Sequence, residues 1–203
     1  MLSFQFFSRD FLFSQRRKAQ TQTTLLLDGG EQIYFRPIVA NDGRMIEAVY
    51  ASLSAQSKYM RFGTSLSTVA PYFLNQLAQQ IALKADSCGY GLLAFRQDDG
   101  SQPDPHPIGI GCYIDSGSRT AELELTVADG WQGKGIGSNL LGRLIEQAHT
   151  GGYTFLDAYV SSQNRPMKSL IESSKVHFRL KPFGSIDQYQ LVLNKVKPQA
   201  TAV

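Results

Sequence analysis

The sequence predicts a single α/β domain, in which strands and amphipathic helices alternate along the chain. Its most informative stretch begins at residues 121–127, where apolar and polar side chains alternate with the period of a strand. Residues 132–138 follow, with the glycine-rich sequence Gln-Gly-Lys-Gly-Ile-Gly-Ser. Ser138 or Asn139 can then begin a helix. Four apolar residues fall on one stripe of that helix: Leu140, Leu141, Leu144 and Ile145.

A strand followed by glycines and a helix is a place to hold phosphate. The backbone N–H groups of the first helical turn have no partner within the helix, and the helix dipole adds partial positive charge there. Glycines allow an anion to approach these groups closely. Two other phosphate sites do not fit. A P-loop requires Lys followed by Ser or Thr, but Lys134 precedes Gly135. A dinucleotide fingerprint requires a different glycine spacing and a strand that is apolar throughout.

Composition excludes several other classes of protein. The chain has 203 residues, 42% of them hydrophobic and 18% charged, which suits one globular domain. A net charge of +3 is too small to favour nucleic acid as a partner. Two cysteines, Cys88 and Cys112, and three scattered histidines lack metal-ligand spacing, so we expect no metal and a reducing, cytoplasmic location. No apolar run has the length of a membrane span.

The remaining elements can be placed from periodicity and turn residues. Residues 25–37 predict a hairpin, and Asn41 or Asp42 can cap a helix with the apolar stripe Ile46, Val49, Tyr50 and Leu53. Ser67 can cap a second helix that turns Phe73, Leu74, Leu77 and Ile81 inward. Later strands are expected at residues 90–95, 108–114 and 154–160, a helix is expected to open at residues 164–167, and residues 177–180 and 189–193 can pair.

Both ends of the chain are expected to lie outside the domain, which we place at residues 25–193. Residues 194–203 predict a tail. Residues 1–24 form an extension in which phenylalanines crowd among basic residues, and helical spacing allows an amphipathic helix there. It could pack on the domain or on a second subunit in a homodimer, dock weakly on a membrane surface, or have no role.

Two motifs resemble a known family. Gln132–Gly137 is similar to the Gln/Arg-x-x-Gly-x-Gly/Ala acyl-CoA loop of the GNAT superfamily of N-acetyltransferases. Residues 54–62 match the Ser-x-x-Ser-x-Tyr-x-Arg-Phe stretch of bacterial protein-lysine acetyltransferases, and Arg36, Pro37 and Asp42 match their Arg-x-Pro…Asp pattern loosely. The residue 54–62 motif could equally serve packing. The resemblance covers residues 25–193.

The resemblance implies a fold and a ligand. The fold would be a mixed, mostly antiparallel central sheet with helices on both faces, splayed near Val127 at the acyl-CoA site. In chain order, a first strand, two helices and three strands would precede the helix of the glycine-rich loop. The ligand would be acetyl-CoA, with its pantetheine arm on one strand, its pyrophosphate on the glycine-rich loop and a contact from a later helix. The implied binding residues are Leu125, Thr126, Val127, Gln132, Gly133, Lys134, Gly135, Ile136, Gly137, Ser138 and Asn164.

The resemblance also implies a general base. An amine is protonated at neutral pH and must lose a proton before it attacks a thioester, and a carboxylate can take that proton. Glu122 and Glu124 share one face of the strand with Thr126, and Glu122 stands where the family has its base. Both glutamates could instead be solvated side chains with no catalytic role.

The expected function is transfer of acetyl from acetyl-CoA to an amine, most simply a protein lysine, without a covalent intermediate. The acceptor end has few acidic residues, Asp42, Glu47 and Asp187, which disfavours polyamines. Alternatives are another small amine or a non-catalytic acyl-CoA sensor. Ile171 occupies the position of the family's thiolate-protonating Tyr. His177 stands near the end of that helix, where it could be a left-handed cap, a packed ring or a proton-transfer group.

Overall fold

The structure is a computed structural model that describes residues 23–63, 71–97 and 106–193. These residues form one eight-stranded sheet with helices on both faces. In chain order the strands are β1 (Thr23–Leu26), β2 (Gln32–Pro37), β3 (Gly89–Gln97), β4 (Pro107–Gly117), β5 (Thr120–Val127), β6 (Phe155–Ser161), β7 (Phe178–Phe183) and β8 (Ile186–Val192). The helices are α1 (Gly43–Ala51), α2 (Ala55–Phe62), α3 (Pro71–Cys88), α4 (Ile136–Thr150) and α5 (Arg165–Ser173).

The sheet is mixed and mostly antiparallel, which confirms the predicted fold class. Its strand order is β1-β2-β3-β4-β5-β6-β8-β7, and β5–β6 is the parallel pair among the described strands. α4 connects these two strands. Their pairing ends at Glu122 and Asp157, after which the strands separate. The sheet therefore splays from Leu123 onward, earlier than the expected position near Val127.

Each face of the sheet has its own apolar core. α1 and α3 pack on one face, where Ile46, Val49 and Tyr50 form the buried stripe expected for α1. α4 and α5 pack on the other face, and the predicted stripe of α4 is buried there. The core under α1 and α3 draws on β3 and β4 and contains no residue of β6, β7 or β8. The half of this face formed by β6, β7 and β8 is therefore not covered by this core.

Three features differ from expectation: the start of a strand, the exposure of one side chain and the presence of one helix. β1 begins at Thr23, inside the segment assigned to the N-terminal extension. Phe73 is half exposed, because the fully buried part of α3 begins only at Ala78. The helix α2 was not counted in the predicted order.

Other expectations lie outside the described residues. These are the proposed helix near the N-terminus, Ser67 as a cap and the tail at 194–203. Among the described helices, none has the length and hydropathy needed to cross a bilayer.

Candidate active site

The separation of β5 from β6 leaves one edge of β5 without a strand partner. Ala128 donates its N–H to the carbonyl of Ile108 at 2.8 Å, so in this antiparallel ladder the even-numbered residues of β5 turn their backbone groups toward β4. Leu123, Leu125 and Val127 consequently turn theirs toward the gap. Gln132 Nε2 donates to the Val127 carbonyl at 2.9 Å. The free edge suits a ligand that carries amide groups in an extended chain.

The glycine-rich loop lies at the end of this edge. Gly133 and Gly135 have φ of 75° and 85°, in the region that favours glycine. Gly135 is the N-cap of α4 and offers no side-chain cap, which leaves the first-turn N–H groups free to bind an anion. The helix begins at Ile136, not at Ser138 or Asn139. Asn139 instead donates from its side chain to the Gly135 carbonyl at 3.1 Å.

Side chains around the loop hold it against the domain. Ile136 is fully buried, and a Cβ at Gly137 would touch Leu170 at 3.4 Å. Lys134 Nζ lies 3.1 Å from Glu31 and over the ring of Trp131 at 4.5 Å, on the exposed side of the loop. The free strand edge fits the amides of an acyl-CoA. The uncapped helix start, with the partial positive charge of its N–H groups, fits the pyrophosphate.

The structure separates the two candidate bases. Glu122 is exposed at the last paired position of β5, on the face that carries α1 and α3. Glu124 lies on the same face but forms an ion pair with Arg61, Nη2 to Oε2, at 2.6 Å. Although the Glu122 side chain reaches solvent, the protein atoms around it partly desolvate the carboxylate and raise its pKa, and the negative charges of Glu124 and Asp157 raise the pKa further, against the opposing effect of Arg61. Thr126, the third residue of this row, is buried.

Asp157 is a site residue that the sequence did not indicate. It is the register partner of Glu122 across the parallel pair, so the two side chains leave the sheet on the same face. Its two carboxylate oxygens accept hydrogen bonds from Gln190 Nε2 at 3.0 Å and Gln188 Nε2 at 3.1 Å. These neutral donors fix the carboxylate without cancelling its charge. Only the strand register brings it beside Glu122, and the local sequence does not contain that information.

The motif at residues 54–62 forms α2 and its cap. Ser54 is the N-cap, and its hydroxyl accepts the N–H of Ser57 at 3.2 Å. Asp129 accepts from the Ser54 N–H at 2.8 Å, the Ser54 hydroxyl at 3.0 Å and the Ser57 hydroxyl. Because Asp129 begins the 3-10 turn Asp129–Trp131 before the glycine-rich loop, α2 is joined to the acyl-CoA loop at its start and to β5, through Arg61, at its end.

The arginine of this motif packs on aromatic rings. The Arg61 guanidinium lies over the rings of Tyr50, at 5.8 Å, and Phe62, at 5.2 Å. α2 also lies next to β6 and so spans the gap between the separated strands on this face. The described contacts of the motif are those of a packing element.

The C-terminal candidates have structural contacts. The Asn164 side chain caps α5 by accepting the N–H of Met167 at 3.1 Å. Ile171 is fully buried in the core. His177 is exposed, and the left-handed conformation expected for it is taken by Lys175, with φ of 60°. Among the described residues, no group of three or more His, Cys, Asp or Glu could hold a metal ion.

The fold and the loop together define an acyl-CoA-dependent acyltransferase, and comparison with known proteins identifies the family. The model of the acetyltransferase (GNAT) family matches residues 56–175. The chain belongs to this family and is an acyl-CoA-dependent N-acetyltransferase.

Individual relatives agree. An acetyltransferase of Pseudomonas aeruginosa is 26% identical over 147 residues, covering 71% of this chain and 74% of that protein. The crystal structure of the GNAT domain of S. lividans PAT matches with a TM-score of 0.67 at 20% identity, covering 85% of this chain and 97% of that one. The structure of spermidine N-acetyltransferase from Vibrio cholerae, in complex with CoA and spermine, matches with a TM-score of 0.59 at 16% identity, covering 80% and 96%.

The first testable prediction concerns the link between α2 and Asp129. Burial alone would raise the pKa of Asp129, but the hydrogen bonds from Ser57 and Ser54 outweigh it and hold the pKa below its usual value. Asp129→Asn should lower the free energy of unfolding by about 1 kcal/mol at pH 7, a small figure because the carboxylate is exposed. A group with a lowered pKa stabilises the fold above its unfolded pKa. The difference in free energy of unfolding between the wild type and the variant should therefore be complete above about pH 4 and should shrink as the pH falls through the folded pKa.

Urea unfolding of both proteins from pH 3 to pH 7 measures this difference. A difference in free energy of unfolding that stays constant across that range would contradict the prediction, because only the wild type titrates at this position.

The second prediction concerns the loop. Gly135→Glu should abolish acetyl-CoA binding in isothermal titration, because it places a side chain at φ of 85° and a negative charge where the pyrophosphate would lie. Gly130→Glu is the matched control, since it adds the same charge at a nearby position where a Cβ meets open space. Equal affinities of the two variants would refute this position for the pyrophosphate.

Proposed function

We propose that this acetyltransferase acetylates lysine side chains of proteins, with Glu122 as the general base. The observation that carries the proposal is the position of Glu122. Its side chain is exposed where β5 and β6 separate, beside the half of the face that the core under α1 and α3 does not cover, and its pKa is raised, while Glu124 is held by Arg61.

The chemistry of the residues supports direct transfer. Acetyl-CoA supplies the activated acetyl group. A lysine amine becomes nucleophilic when Glu122 accepts a proton from its ammonium form, directly or through water. The amine then forms a C–N bond to the thioester carbonyl and the C–S bond breaks, so CoA leaves as a thiolate. The second proton lost by the nitrogen passes through water to the thiolate and gives free CoA. Cys112 is a poor candidate for a covalent intermediate, because it is fully buried and burial raises the pKa of its thiol. Cys88 is exposed at the end of α3.

Binding of the cosubstrate is assigned to the free edge and the loop. The backbone groups of Leu125 and Val127 would pair with the pantetheine amides, and the amides of residues 132–138 would hold the pyrophosphate. The Asn164 amide nitrogen is proposed as a further contact, because its oxygen is already used in capping α5.

The charges at the acceptor end favour a lysine over a polyamine. Asp42 forms a bidentate pair with Arg36, at 2.7 and 2.9 Å, and Asp187 pairs with Lys168. Glu47 accepts a hydrogen bond from Asn75 at 2.7 Å. Asp157 adds one carboxylate beside Glu122, which suits a single ammonium group. A polycation would need several such carboxylates.

Replacement of the base tests the assignment of Glu122. Glu122→Gln should reduce kcat at pH 7 by about 10²- to 10⁴-fold and leave acetyl-CoA affinity nearly unchanged. Because the base must be ionised, kcat/KM of the wild type should fall as pH drops through a pKa above the usual range of Glu. Glu124→Gln is the control, and it should lose stability with its ion pair and keep most of the rate. A wild-type pH profile retained by Glu122→Gln would rule out this base.

The acceptor is tested by measuring thiol release with matched substrates. Lysine-containing peptides and native proteins should be used with a higher kcat/KM than spermidine, aminoglycosides or free lysine. A preference for any of the small amines would overturn the choice of acceptor and leave the acetyltransferase assignment intact.

A further inference from the structure

The face of β6, β8 and β7 next to Glu122 forms an exposed surface with a regular pattern. Register places Asp157 beside Gln190, Tyr159 beside Gln188, and Ser161 beside Ile186. Because register partners share a face, these side chains lie on the same face as Glu122. The hydrogen bonds from Gln188 to Asp157 and to Tyr159, at 3.1 and 3.5 Å, agree with this arrangement.

Apolar side chains form a strip on this face. Phe183 is the register partner of Ile186, and Tyr159 is two residues from Asp157 along β6. Tyr159, Ile186 and Phe183 are 54%, 44% and 50% exposed. We call these three residues the apolar strip. It begins one strand repeat beyond the Glu122–Asp157 pair and ends at the turn between β7 and β8.

Two basic side chains of β7, the outermost strand, form the border of this face: Lys181 beside the strip, and Arg179 level with Asp157, where its guanidinium lies over the Phe155 ring at 5.7 Å. Arg179 donates to Gln190 Oε1 at 3.5 Å, and Lys181 lies over the Phe183 ring at 4.8 Å, so both belong to the same face. Both side chains are exposed. The border is therefore positive, whereas the inner end of the face, at Glu122 and Asp157, is negative.

We propose that the apolar strip and its basic border bind the segment of the acceptor protein that flanks its acetylated lysine, and that they select lysines near a large apolar residue and an acidic residue. The proposal rests on the proposed function, because it requires a polypeptide acceptor. It follows from continuity, since the lysine amine must reach Glu122 and the strip begins there. It also follows from charge, since Arg179 and Lys181 complement an acidic side chain.

The dimensions fit an extended peptide. Asp157 and Ser161 are four residues apart on β6, or about 13 Å, and neighbouring strands lie about 4.8 Å apart. A lysine that reaches down to Glu122 therefore has residues two to four positions away above the strip. Tyrosine and arginine, present here as Tyr159 and Arg179, are enriched among the residues that contribute most to recognition at protein interfaces.

The test uses peptides with one lysine and blocked ends. The first has Leu three positions from the lysine and Glu beside the Leu. It is made in two versions, with the Leu before the lysine or after it. A second replaces Leu by Ser, and a third replaces Glu by Arg, which reverses the charge without adding a second acceptor amine. We expect the wild type to use the Leu peptide with a kcat/KM about tenfold above the Ser peptide on at least one side.

Variants show whether the strip causes this preference. The double variant Phe183→Ser, Ile186→Ser should reduce the ratio between the Leu and Ser peptides to about one. Leu180→Ser is the matched control, because Leu180 is 49% exposed on the same strand but pairs with the core residue Tyr189 on the opposite face. Its ratio should remain about ten. Lys181→Glu should reverse the preference between the Glu and Arg peptides.

Several results would overturn the proposal. These are equal use of all peptides by the wild type, a ratio that survives in the double variant, and an equal loss in Leu180→Ser. A change in oligomeric state of the double variant in analytical ultracentrifugation would identify the strip as a contact between copies of this chain. If the wild type acetylates small amines and no peptide or protein, the proposed function fails together with this inference. Peptide acetylation without flank preference refutes the inference alone.

Discussion

The active site depends on one event in the sheet, the separation of β5 from β6 after Glu122 and Asp157. A continuous parallel ladder would use the backbone groups of Leu123, Leu125 and Val127 and would leave no edge for an extended ligand. The separation frees them and places the last paired glutamate at the mouth of the gap. Backbone groups that lack a partner cost free energy unless solvent or a ligand satisfies them. The gap is therefore a binding site that the topology creates before any side chain contributes.

A gap in a sheet needs support, and α2 supplies it on the acceptor face. The links from Ser54 and Ser57 to Asp129 fix its start to the acyl-CoA loop, and the Arg61–Glu124 pair fixes its end to β5. The ion pair has a second consequence. Two glutamates on one face would otherwise be equivalent, and Arg61 engages one of them while its charge limits how far the pKa of the other rises. Support for the gap and, in the proposed mechanism, the selection of Glu122 as the base thus arise from the same contact.

Local patterns in the sequence predicted β5, the glycine-rich loop and the stripe of α4, because each depends on residues within a few positions of one another. α2 was missed as a helix since none of its residues is fully buried, so it has no apolar stripe to detect. The choice between Glu122 and Glu124 depends on Arg61, which is distant in sequence. Asp157 became a site residue only through the register of two strands joined by a whole helix. Apart from α2, what the sequence could not predict is a non-local contact.

The crossover that opens the gap also determines which surface stays uncovered. Parallel strands need a crossover connection, here α4, which packs on one face of the sheet, and α5 packs on that same face. α1 and α3 cover the opposite face, but their core ends at β4. No described helix core then reaches the β6–β8–β7 half of that face. Glu122 stands at the border between the covered and uncovered halves. Glu122, the base proposed above, therefore lies next to the exposed surface of β6, β8 and β7, and such an open surface supports the proposed protein acceptor better than a small amine that needs a closed pocket.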